Sequence, residues 1–100
     1  MFELDFDTLS LYKDPSIRSL IASHPECPGY ILEKLSEDKI HDVRKEVVKN
    51  PNCPKNILET LSNDEYWGAR QRVAENPKCP QDILEKLSTD NSESVRLSVA

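Results

Sequence analysis

Asn50-Pro51-Asn52-Cys53-Pro54 decides the fold, because it is one of three copies. His24-Pro25-Glu26-Cys27-Pro28 stands 26 residues before it and Asn76-Pro77-Lys78-Cys79-Pro80 stands 26 residues after it. A fixed period of this length marks a stack of small units, none of which can bury its apolar face alone. The agreement extends outward on both sides. After each Cys-Pro comes Ile31-Leu32-Leu35-Ser36, Ile57-Leu58-Leu61-Ser62 or Ile83-Leu84-Leu87-Ser88, then an acid at Asp38, Asp64 or Asp90. An arginine follows at Arg44, Arg70 and Arg96, and Arg18 holds the same phase one period earlier. Small or branched apolar residues accompany each arginine: Ile17, Ile21 and Ala22; Val43, Val47 and Val48; Ala69, Val73 and Ala74; Val95, Val99 and Ala100.

Each half of the unit reads as a short helix, since apolar residues at i, i+1 and i+4 form one narrow stripe. Pro28, Pro54 and Pro80 suit the first helical position, where a missing N–H costs nothing. The second helices are expected to stop at Ser23, Lys49 and Glu75, because the residue before a proline is pushed out of the α region. Helices this short are marginal alone in water, so they must pack on one another, and some turns are open to being 3₁₀. The expected architecture is all-α: a right-handed solenoid of about three and a half stacked two-helix repeats in one domain, 1–100. Residues 1–15 read as a degenerate capping half-repeat, with Phe6, Leu9 and Ser10 in the phase of Leu32, Leu35 and Ser36 and a charged start at Glu3, Asp5 and Asp7. Residues 16–100 carry the repeats, with no polar cap visible after Val99, so self-association through that end is one expectation.

Composition limits the roles. With only six aromatics, the core must be aliphatic. No stretch approaches the ~18 apolar residues of a membrane span, and the first residues are too acidic for a signal peptide. A net charge of −5 disfavours general binding of polyanions. Unpaired cysteines suit a reducing compartment, and the cytoplasm is the expected location.

The order Asn-Pro-x-x-Pro, Ile-Leu-x-x-Leu, Asp, then Val-Arg-x-x-Val-Ala-x-Asn-Pro resembles the leucine-rich repeat variant family over residues 16–100. The resemblance implies a bacterial solenoid of alternating short α and 3₁₀ helices that binds partners through an elongated surface, with no agreed reaction. The acid-to-arginine spacing is also similar to the HEAT and armadillo class, whose repeats are longer. One member of the variant family carries an iron–sulfur cluster on a separate cysteine-rich segment. No such segment is present here, and no cofactor is carried over.

Three thiols in equivalent positions invite a metal or redox reading. Equivalent atoms of adjacent helical repeats should lie roughly 8–10 Å apart, whereas a disulfide needs Cα atoms within about 7 Å. The cysteines therefore read as small inward-packed residues before the prolines, and a metal or iron–sulfur protein ranks last. Asp38, Arg44, Asp64, Arg70, Asp90 and Arg96 read as a structural ladder in which each guanidinium meets the aspartate six residues before it and nearby carbonyls. Arg18 has Tyr12 at that spacing and reads as the arginine most free to bind something else.

Glu33, Glu37, Glu59, Asp82 and Glu85 make the first helices acidic, while Lys45, Lys49 and Arg72 give the second helices a mildly basic face. Tyr66-Trp67 lies between the helices of the middle repeat, with Trp67 expected to pack inward and Tyr66 to face solvent. No Gly-rich loop or nucleophile–base pair supports catalysis. The expected function is a non-enzymatic protein–protein interaction or scaffold module. Its partner would meet Arg18, Lys45, Lys49, Tyr66, Trp67 and Arg72, and nucleic-acid binding along the basic face is the alternative.

Overall fold

In a computed structural model describing residues 5–99, the described residues form eight α-helices and no strand. They are α1 (Phe6–Leu9), α2 (Pro15–Ser23), α3 (Gly29–Leu35), α4 (His41–Lys49), α5 (Lys55–Leu61), α6 (Trp67–Glu75), α7 (Gln81–Leu87) and α8 (Glu93–Val99). Glu3, expected in the charged start, and Ala100, expected in the last apolar slot, lie outside the described residues.

Helices α3, α5 and α7 recur at the 26-residue interval, as do α4, α6 and α8. Close packing occurs between helices adjacent in sequence and along the series α2, α4, α6, α8. The series makes the molecule long and narrow, 47 × 22 × 17 Å. Ile31, Leu32, Leu35, Val43, Val47, Val48, Ile57, Leu58, Leu61, Val73, Ile83, Leu87 and Val95 bury their side chains in one continuous core. Each large aliphatic side chain so buried contributes about 1.5–3 kcal/mol, which helices of seven to nine residues need in order to persist. Phe6 and Leu9 of α1 pack against the front of this core.

The second helices end where the prolines dictate, at Ser23, Lys49 and Glu75, each followed by an extended C-cap at His24, Asn50 or Asn76. The entries to the first helices differ from expectation by one residue. Pro28, Pro54 and Pro80 are the N-caps, in extended conformation, rather than the first helical residues. As N-caps they offer carbonyls that open the helix, Pro28 O accepting from the Ile31 and Leu32 N–H groups at 3.1 Å.

Asn50 and Asn76 supply the polar stitches between units. Asn50 is 1% exposed. Its Nδ2 donates to the Ala22 carbonyl at 2.8 Å and the His24 carbonyl at 2.9 Å, while its Oδ1 accepts the Asn52 N–H at 2.8 Å. Asn76 repeats this one period later, on the Val48 and Asn50 carbonyls and the Lys78 N–H. Carbonyls at the ends of α2 and α4, which have no partner within the helix, are thus satisfied by the following repeat.

Candidate functional site

The arginines form a ladder, but its rungs cross the junctions between repeats. Arg18 Nε and Nη2 grip the Asp38 carboxylate at 2.6 and 3.2 Å, Arg44 grips Asp64 at 2.7 and 3.1 Å, and Arg70 grips Asp90 at 2.8 and 3.1 Å. The aspartate six residues earlier contributes its backbone instead. Arg44 Nη1 donates to the Asp38 carbonyl at 2.7 Å, Arg70 to that of Asp64 at 2.6 Å and Arg96 to that of Asp90 at 2.6 Å. This corrects the expected pairing. The reason is geometric: the loop leading into the next second helix lies against the arginine, so the reachable carboxylate belongs to that next repeat.

Arg18 is therefore not the free arginine of the series. It holds Asp38 and also donates to the Tyr12 and Lys13 carbonyls, at 2.6 and 2.8 Å. Each ladder carboxylate also accepts an N–H two residues on, from Ile40, Tyr66 or Ser92, closing the turn that starts the second helix. Burial pushes the Asp38 and Asp90 carboxyls up. The arginine fork, that N–H and the neighbouring guanidinium charges outweigh burial and hold both below the usual carboxylate value.

The other basic side chains of the second helices are paired within their own helix. Lys45 lies 3.8 Å from Asp42, Lys49 3.5 Å from Glu46, and Arg72 2.9 Å from Glu75. The face expected to be mildly basic thus matches each of these three cations with an acid three residues away. Besides these pairs it exposes serines of α2, Ser16 and Ser23, and two leucines: Leu20 on α2 is 65% exposed and Leu97 on α8 is 67% exposed. Ser16, Ser19, Leu20, Ser23, Asp42, Lys45 and Glu46 line a shallow groove of about 480 Å³ between α2 and α4.

The aromatic pair is arranged the opposite way round from expectation. Tyr66 is half-buried, its ring stacked on His41 at 4.0 Å between centroids, while Trp67 is 45% exposed. Gly68 explains the inversion: a Cβ there would stand 2.5 Å from Tyr66 Cζ, so only glycine lets the phenol fold over the start of α6. Trp67 then leans on Tyr66, 5.7 Å between centroids and tilted by 50°. His41 and Gly68 were not recognised from sequence as parts of this cluster. A signal existed for the histidine, which stands one period before Trp67; both open their helices.

The cysteines face inward. Cys27 and Cys53 are buried, and each thiol points at the carbonyl of the following proline, 3.8 and 3.7 Å away. Burial pushes the Cys27 thiol up to about 11 and the Cys53 thiol up to about 12. Since the thiolate is the nucleophile, both should resist iodoacetamide at pH 7.5 until denaturant is added, when all three cysteines should label. Mass spectrometry of the native protein showing rapid labelling of Cys53 would contradict this placement. Among the described residues, no three His, Cys, Asp or Glu side chains come together as a metal site. No described helix is long and apolar enough to cross a membrane.

The surface on offer is a helix face whose lysines and Arg72 are paired, with an exposed leucine at each end and the aromatic cluster at its border. Arg18, Arg44 and Arg70 are committed to the ladder, while Arg96 is exposed and holds only the Asp90 carbonyl. Compared with protein-family models, with curated proteins and with solved structures, the chain matches none.

Proposed function

We propose that this chain is a non-enzymatic protein-interaction module. It is a right-handed solenoid of about three and a half repeats, similar to the leucine-rich repeat variant family, working in the cytoplasm. The partner lies across the face of α2, α4, α6 and α8 and reaches the aromatic edge at Tyr66 and Trp67. The observation that carries this reading is Trp67. A large indole, nearly half exposed yet held by Tyr66, offers contact area with little conformational entropy left to lose. Lys45, Lys49 and Arg72 lie further along α4 and α6, each paired within its own helix, while Arg18 serves the ladder.

The nucleic-acid alternative draws no support from this charge arrangement, because affinity for phosphates rests on cations free to replace counterions. Self-association by head-to-tail stacking is also poorly matched. The front repeat has Tyr12 and His24 where an internal junction has its ladder aspartate and stitching asparagine.

The test is affinity capture with the wild type and with Trp67→Ala, followed by mass spectrometry after nuclease treatment. We expect a protein retained by the wild type and depleted at least about tenfold by the variant, the loss expected of a hot-spot aromatic. Identical recoveries, or recovery abolished by nuclease, would overturn the reading.

A further inference from the structure

We infer that the Trp67 surface recognises a cationic side chain of the partner, a guanidinium laid on the exposed indole. This rests on the partner-binding reading above and specifies its chemistry. The indole is the strongest aromatic acceptor for a cation. It is already oriented, because His41 stacks on Tyr66, Gly68 lets Tyr66 lie flat, and Tyr66 supports Trp67.

Carboxylates flank it. Glu65 is two residues away, and Glu93 opens α8 as Trp67 opens α6, so it occupies the equivalent position one repeat on. Both are exposed, and neither is in an ion pair among the described residues. Asp42, at the start of α4, lies 3.3 Å from His41 and 3.8 Å from Lys45 and is already matched by that lysine, so it adds no net charge. Among the opposing charges, Arg44 interacts with Glu65 but is gripped by Asp64, and the others are smaller or further back. Lys39 stands one period before Glu65, at the His41 end, and the N-terminus of α6 brings about half a positive charge that fades within a turn. A net charge of −5 also favours the approach of a basic partner over an acidic one.

Because Trp67 is the only tryptophan, its indole N–H gives a single resonance that reports on this site. We would titrate the full chain with N-acetylarginine methylamide and follow that resonance, using the citrulline analogue as a control of the same shape without charge. The expected result is a saturable shift with arginine and an affinity for citrulline about two- to fivefold lower, the ratio expected of an exposed cation–π contact. The arginine affinity should fall in the Glu65→Gln, Glu93→Gln double variant, and in Gly68→Ala, whose methyl group pushes Tyr66 aside. Should Gly68→Ala fail to fold, the double variant alters only exposed carboxylates and keeps the test intact. Equal shifts from arginine and citrulline, no shift from either, or an unchanged affinity in the double variant would overturn the inference. Partner capture that still depends on Trp67 would leave the broader reading standing.

Discussion

Asn50→Asp should destabilise the protein by about 3 kcal/mol or more at neutral pH, although it changes one side-chain nitrogen to oxygen. The native carboxamide donates to two carbonyl oxygens from a site almost closed to water. A carboxylate there would face those same carbonyls with no proton to offer, and would carry its charge unpaired into the interior. The pH response identifies the cause. Such a carboxyl has a folded-state value raised above its unfolded one, so the deficit should shrink as the pH falls from 7 towards 5. Urea midpoints for wild type and variant at several pH values would show it. Asn52→Asp is the control, because Asn52 is exposed and its side chain donates only to the Pro25 carbonyl. A loss at Asn50 no larger than that at Asn52 would remove the stitch from the account of stability.

Arg70→Ala should cost about 3 kcal/mol, whereas Lys49→Ala should cost at most about 0.5 kcal/mol. Removing Arg70 strands the nearly buried Asp90 carboxylate and leaves the Asp64 carbonyl without its donor. Lys49 loses only a 3.5 Å contact with Glu46 in open water, being 47% exposed itself. The same ladder sets the acid limit of the fold. Asp38 and Asp90 have folded-state values below their unfolded ones. Their contribution is therefore complete above the unfolded carboxylate value of about 3.9, and is lost as the pH falls through the lower folded values. Equal small losses for the two alanine variants, or an urea midpoint that stays level below pH 4, would overturn the ladder's structural role.

The periodic residues made most of the helical layout readable. The interval placed the paired helices, the Asn-Pro and Glu-Asn-Pro steps set their ends, and Ile31, Leu32 and Leu35 with their equivalents marked the buried stripe. What stayed hidden was which unit each polar group serves. A side chain six residues from its arginine in sequence looks local, yet the Asp38 carboxylate belongs to Arg18 in the preceding repeat, and only its carbonyl serves Arg44. Sequence spacing cannot separate a residue's backbone from its side chain as partners. The aromatic cluster was hidden for another reason. Its arrangement depends on the absence of an atom at Gly68, and on His41 one period back, while a reading of Tyr66 and Trp67 as an isolated pair reverses their exposure.

The asparagine stitches also bear on how the protein ages. Spontaneous deamidation requires the backbone nitrogen of the next residue to attack the asparagine side-chain carbonyl. Asn50 and Asn76 are each followed by a proline, whose nitrogen carries no proton and is tied into a ring. The two amides whose loss would insert a negative charge between repeats are thus shielded from that reaction by the residue that also ends their helices. Slow chemical wear falls instead on exposed asparagines such as Asn63 and Asn91, where a new carboxylate meets solvent and the row of helices keeps its seams.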